Sequence, residues 1–166
     1  PARPRGPAPG YWFRRSGVIP PSRTTWSAEV AYAVGLIATD GNLSSDGRHL
    51  CVVSKDMDLL ETVRQCLHLA NRITPSTGGL GSCHRVQWRD RAFYDWLVGL
   101  GLTPAKSLTL GPLAVPEEYF ADFFRGCIDG DGCVLVYTDR YHTTKNERYV
   151  YERLYVSLVS ASRPFL

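Results

Sequence analysis

Apolar positions along the chain recur at spacings of three and four in some stretches and alternate in others, and the switches between these periods mark its elements. From Thr25 or Ser27, either one a suitable N-cap, the positions Val30, Val34, Leu36 and Ile37 predict a helix. It stops at Asp40-Gly41, where glycine suits a left-handed C-terminal position. Two short strands are expected next, Leu43-Ser44 and His49 to Ser54, joined by the turn Ser45-Asp46-Gly47. Ser54 or Asp56 then caps a second helix carrying Leu59, Leu60, Val63, Cys66 and Leu67. A second hairpin begins near Ile73, passes Gly78-Gly79-Leu80-Gly81 and returns as Cys83 to Arg89. A third helix, Phe93 to Leu100, ends at Gly101. The order is αββαββα, an α/β (α+β) arrangement.

Much of that order then starts again. Pro116 suits a first helical turn, and Glu117 and Glu118 suit the positive end of a helix dipole. The helix continues through Tyr119, Phe120, Phe123, Phe124 and Ile128 and also ends in Asp-Gly, Asp131-Gly132. Gly35 to Gly41 aligns with Gly126 to Gly132 at an offset of 91 residues, and Leu50 to Ser54 aligns with Val156 to Ser160 at an offset of 106. The 15 additional residues form a longer hairpin loop around Asp139 to Arg148. On this alignment Leu166 corresponds to Leu60, and nothing matches Glu61 to Ser107. The second copy is therefore expected to be cut short, which would leave Val156 and Leu158 poorly covered. The expected organisation is an arm or linker over 1–23, a first repeat over 24–114 and the start of a second over 115–166.

Composition narrows the function classes. Hydrophobic residues at 44% and charged residues at 21% suit a folded globular body. The sequence has no uninterrupted apolar run long enough for a membrane span and no apolar core for a signal peptide, so an intracellular protein is expected. Five cysteines without a CxxC pair argue against a zinc knuckle or disulfide framework and for small buried thiols. The four histidines have no ligand spacing. Residues 1–23 hold Arg3, Arg5, Arg14, Arg15 and Arg23 with no acidic residue, so the net +3 becomes −2 without them. Bulk charge therefore does not mark a nucleic-acid-binding domain, and any such affinity would have to come from the patterning of charge.

The motifs carry the chemistry. Ala33 to Gly41, AVGLIATDG, and Phe124 to Gly132, FRGCIDGDG, each close a helix with an acidic residue followed by glycine. With Pro104-Ala105-Lys106-Ser107 and Val115-Pro116-Glu117-Glu118-Tyr119 as the connection between copies, they resemble the LAGLIDADG homing endonuclease family over residues 24–166. The motifs depart from that pattern at Ala33, Val34, Ala38, Thr39, Phe124, Arg125, Cys127 and Gly130. Gly35 and Gly126 hold equivalent positions where two paired helices need small residues at their interface. Such packing would set Asp40 and Asp131 side by side, and hard oxygen ligands of this kind suit Mg2+ or another divalent cation. Asp129, without an acidic counterpart at Ala38, reads as an exposed helix-end residue.

The resemblance implies a fold with curved antiparallel sheets and hydrolysis of double-stranded DNA, in a monomer of two pseudo-symmetric repeats with no membrane association. It also implies that Lys106 stands near the metal site with Asp40 and Asp131, polarising water or offsetting phosphate charge. Alternation along Cys83 to Arg89 puts Val86 and Trp88 in the core and turns Arg85, Gln87 and Arg89 outward, where they would read guanine or adenine edges. His49 is counted with these DNA-binding positions. In the second copy Tyr149, Tyr151, Arg153, Tyr155 and Ser157 share a face opposite Val150, Leu154, Val156 and Leu158, and the resemblance makes the tyrosine face DNA-facing. Two other readings use the same scaffold without cleavage: a maturase that binds intron RNA, or a DNA-binding regulator. An intein endonuclease would share the chemistry.

Overall fold

The computed structural model describes residues 22–76, 82–141 and 148–166. The Gly78 to Gly81 turn, most of the 1–23 arm and the middle of the Asp139 to Arg148 loop lie outside them. The chain is a mixed α+β protein with antiparallel sheets.

The first helix, α1 (Ala28–Thr39), starts where Ser27 Oγ accepts from the Val30 amide at 3.2 Å. Every residue from Val30 to Ala38 is buried, so α1 is the central post of the fold. Strands β1 (Gly41–Leu43) and β2 (His49–Ser54) follow; β1 starts two residues and ends one residue earlier than the expected Leu43-Ser44. Asp56 caps α2 (Met57–Cys66) by accepting from the Asp58 and Leu59 amides. Strands β3 (Ile73–Ser76) and β4 (Cys83–Arg89) complete a sheet of order β1-β2-β4-β3, and Asp90 caps α3 (Arg91–Leu100). Gly101 ends α3 in the left-handed region at φ 110°, which glycine adopts without steric cost. The inner face of the sheet, Leu43, Leu50, Val52, Val86 and Trp88, packs on α1 with Leu60, Val63, Phe93 and Leu97.

After a 3-10 turn at Glu117–Tyr119, helix α4 (Phe120–Asp131) packs along α1 and leads into the hairpin β5 (Gly132–Asp139) and β6 (Tyr151–Leu158). This two-stranded sheet is solvated on both faces, with Val134, Val136, Leu154 and Val156 between 50% and 66% exposed. Leu158 departs from the expectation: it packs against the core, because β6 pairs it with Gly132 at the end of α4.

Three other expectations change. Gly41 is not left-handed, and neither is Gly132, which has φ −95°. Glycine is needed at both for closeness, because a β-carbon would fall 2.6 Å from the carbonyl oxygen of Ile37 or Ile128 respectively. The cysteines are not uniformly buried: Cys66 and Cys127 are, Cys51 and Cys83 are half-buried, and Cys133 is exposed on the uncovered hairpin. Arg23 belongs to the folded body rather than to an arm. Its guanidinium binds Asp90 at 2.7 Å and donates to the carbonyls of Leu67 at 2.6 Å and His68 at 3.2 Å.

Candidate functional site

The joint between α1 and α4 is made by backbone. A β-carbon on Gly35 would lie 2.1 Å from the Phe123 carbonyl oxygen and 3.0 Å from Gly126 Cα. One on Gly126 would lie 2.1 Å from the Tyr32 carbonyl oxygen and 3.1 Å from the Leu36 nitrogen. Any side chain at either position would force the helices apart, so contact this close requires glycine on both. The Cys127 thiol, turned toward the Gly35 carbonyl at 3.7 Å, fills the remaining space.

From that crossing the helices run to a common end. Asp40 caps α1, Asp131 closes α4, and the Asp40 Oδ2 is 3.4 Å from where a β-carbon on Gly130 would sit. Asp40 is half-buried and Asp131 exposed. Burial, reinforced by the Asp131 charge, pushes the Asp40 carboxyl up to about 6, while the Lys106 charge pulls it down. A carboxylate repelled by its neighbour is a carboxylate that a cation would relieve.

Lys106 reaches the same end from the connector. Ala105 sits in the left-handed region at φ 55°, at a cost of roughly 1–2 kcal/mol for a residue with a β-carbon, and this turn carries the lysine inward. The side chain is 6% exposed, and its ammonium donates to the Thr39 carbonyl at 3.1 Å. Burial lowers its pKa, and Asp131 and Asp40 oppose that shift. A cleft of about 220 Å3 opens here, lined by Thr39, Lys106, Ser107, Asp131, Val159 and Ser160 among others. Its outer wall is tied down by Ser162, whose buried hydroxyl donates to the Leu110 carbonyl at 2.6 Å.

Among the described residues no group of three or more His, Cys, Asp or Glu side chains is placed to hold a metal. The donor set is two carboxylates. That set fits a hard divalent cation of the magnesium kind, which binds through one or two carboxylates and fills its other positions with water and substrate phosphate oxygens. The structure gives no support to a softer metal at this position, since Cys127 is buried and its thiol is pushed up to about 12, first by burial and then by Asp131.

The two sheets present the remaining sequence-predicted residues. Register sets His49 opposite Arg89, Cys51 opposite Gln87 and Val53 opposite Arg85, so His49 shares the outward face of the first sheet with Arg85, Gln87 and Arg89. Its ring is engaged by Asp46, whose carboxyl is held well below the usual carboxylate range by His49 and by the amides of His49 and Arg48. On the second sheet Tyr151, Arg153 and Tyr155 lie opposite Asp139, Tyr137 and Leu135 and form one face with them. There Tyr137 and Tyr155 stack at 5.8 Å, and Arg153 binds Asp139 at 2.6 Å beside the Tyr151 ring. Arg85, Gln87 and Arg89 thus stand on a different sheet from the three second-copy residues, with the carboxylates at the helix ends from which both sheets begin.

Two features were not read from the sequence. Thr39 is the hub of the site, since its carbonyl holds Lys106 and its side chain meets α4 at Gly130. The signal was present as a threonine and a glycine at equivalent motif positions. Asp129 is exposed, yet it accepts from the Tyr32 hydroxyl at 2.8 Å and ties α4 to α1 a second time. Arg125 lies over the same Tyr32 ring, 4.6 Å from its centroid.

Comparison with protein-family models and with curated proteins gives no match. Among solved structures, the chain is similar to mesophilic variants from the homing endonuclease I-DmoI, at 13% identity and a TM-score of 0.41, over 78% of this chain and 84% of that one. No residue role carries across at that level of similarity. No helix among the described residues is long and apolar enough to cross a membrane.

Proposed function

We propose that this chain is a site-specific endonuclease of the LAGLIDADG kind, hydrolysing phosphodiester bonds of double-stranded DNA with a divalent cation, magnesium by preference. The observation that carries the reading is the convergence of two Asp-Gly helix ends, joined through glycine backbones, with a buried lysine on the same cleft. An ordinary helix pair has no need of two mutually repelling carboxylates at one end. Asp40 and Asp131 would hold the cation, which when bound supplies charge stabilisation for the phosphate and an acidified water. Lys106, held beside both carboxylates, offsets negative charge as a phosphate approaches. The outward faces of the two sheets supply recognition: Arg85, Gln87, Arg89 and His49 on the first, Tyr151, Arg153 and Tyr155 on the second. Guanidinium and amide groups at alternate strand positions match the donor and acceptor pattern of base edges in a major groove.

The test is selection of a target from randomised duplex DNA followed by cleavage with magnesium. Wild-type protein should cut the selected sequence, and Asp40→Asn should bind it with little change while leaving at least one strand uncut. Binding without cleavage by wild-type protein, under any divalent cation, would refute the nuclease reading and leave a DNA-binding regulator. Selective binding of structured RNA instead would point to the maturase reading.

A further inference from the structure

Positions 39 and 130 are equivalent in the two repeats, each directly before its aspartate, yet one is threonine and the other glycine. In space the difference is complementary. A β-carbon on Gly130 would lie 2.0 Å from Thr39 Oγ1 and 2.8 Å from Thr39 Cβ, so the threonine side chain occupies the room that Gly130 leaves open. The Thr39 Cβ is fixed by its own backbone, and either helical rotamer of a threonine leaves a heavy atom on this β-carbon. The hydroxyl is also held from its own helix, donating to the carbonyls of Leu36 at 3.1 Å and Gly35 at 3.2 Å. Gly35 is itself in backbone contact with α4, so the side chain is braced against the crossing point. On its other side the Thr39 carbonyl accepts from Lys106.

We propose that Thr39 and Gly130 form a knob and notch that sets the separation of the Asp40 and Asp131 carboxylates, and so act as positioning residues for the divalent cation. This rests on the endonuclease reading above. The Gly35 and Gly126 contact lies about one turn back along the helices and fixes where they cross, but the gap at their ends is fixed by whatever fills it there. Thr39 fills it. Each aspartate is the next residue in the chain, so spreading positions 39 and 130 spreads the carboxylates with them. A small hard cation bound at about 2.0–2.1 Å from its ligands tolerates little such spreading.

The experiment measures binding of Mn2+ alone to the full chain, without DNA, from the spectroscopic signal of the free ion. It compares wild-type protein with Gly130→Ala, with the double variant Thr39→Gly/Gly130→Ala, and with Asp40→Asn/Asp131→Asn as the blank. Gly130→Ala should raise the half-saturating Mn2+ concentration by about tenfold or more, the range seen when supporting groups of a metal site are disturbed. Removing the knob in the double variant should bring it back to within about threefold of wild type, although glycine at position 39 weakens the helix end and lowers the melting temperature. That split, affinity recovered while stability falls further, is not what a packing defect gives. Wild-type affinity in Gly130→Ala, or a double variant that binds no better than Gly130→Ala, would overturn the knob and notch alone. Wild-type protein that binds no more Mn2+ than the blank would overturn the endonuclease reading, and the positioning role with it.

Discussion

Replacing Asp40 by asparagine should stabilise the cation-free protein, and by an amount that depends on pH. The carboxyl is raised from 3.8 to about 6 by burial first and the Asp131 charge second. In full that shift corresponds to about 3 kcal/mol against the ionised form. Asp40 is only half-buried, and solvent screening reduces the expected effect to about 1 kcal/mol. A folded-state pKa above the unfolded value means that the folded protein holds the proton more tightly. The favourable contribution is therefore fully present below pH 3.8 and is lost as pH rises through about 6. Asparagine mimics the protonated carboxyl at every pH. Urea unfolding in a chelator should find Asp40→Asn close to wild type near pH 4 and more stable by about 1 kcal/mol at pH 8, or about 3 °C in melting temperature. Taking the difference between variant and parent cancels the other titrating groups. Magnesium at millimolar concentration should reverse the order at pH 8, because only the parent keeps both ligands. A variant less stable than its parent at pH 8, by the same margin as at pH 4, would show that Asp40 is held by favourable contacts and that the carboxylates are not in conflict.

Lys106→Met should move the Asp40 titration midpoint above about 6 in carbon-detected NMR, because the lysine is what holds it down; an unmoved midpoint would separate Lys106 from the pair. Gly35→Ala should cost about 3 kcal/mol in urea unfolding, since its β-carbon would fall 2.1 Å from a carbonyl oxygen that belongs to another helix, and a cost below about 0.5 kcal/mol would mean the helices are not in backbone contact. Ser162→Ala should cost about 1 kcal/mol by leaving the Leu110 carbonyl without its partner, read from the same unfolding curves. Arg85→Ala or Gln87→Ala should weaken cleavage of a selected target by about 1–3 kcal/mol and relax preference at one base pair, read by competition between substituted duplexes.

The first repeat was legible because each of its elements carries its own punctuation. Ser27 and Asp56 cap the first two helices and Gly101 ends the third, whose unread cap Asp90 starts it two residues before the expected Phe93, and alternation places Val86 and Trp88 inside with Arg85 and Gln87 outside. The meeting of Asp40 and Asp131 follows from the repeat itself, since equal helices closed by equal residues lead to one end. What alternation could not decide was the second sheet. Among the described residues it is one hairpin with no covering helix, both of its faces are solvated, and polarity no longer reports which side is inward. The role of Gly41 was misread for a related reason: a turn signature speaks of torsion angles, whereas the constraint at Gly41, as at Gly132, comes from the isoleucine four residues earlier, Ile37 or Ile128. Arg23 and Ser162 were invisible because each binds a partner far away in sequence, Asp90 and Leu110, and no local pattern encodes such a contact.

The burial of α1 also bears on how the chain is made. Nine consecutive residues, Val30 to Ala38, have no solvated side in the finished fold, and part of their cover is α4, whose matching positions lie 91 residues downstream. A ribosome adding roughly 5–20 residues per second needs about 5 to 20 seconds to supply that cover. For part of this interval the most apolar helix of the described residues has left the ribosome and still lacks its partner. The nascent chain thus presents a sticky helix before the glycine joint can close, so early chaperone capture, or translation without a pause ahead of Phe120, favours good yield.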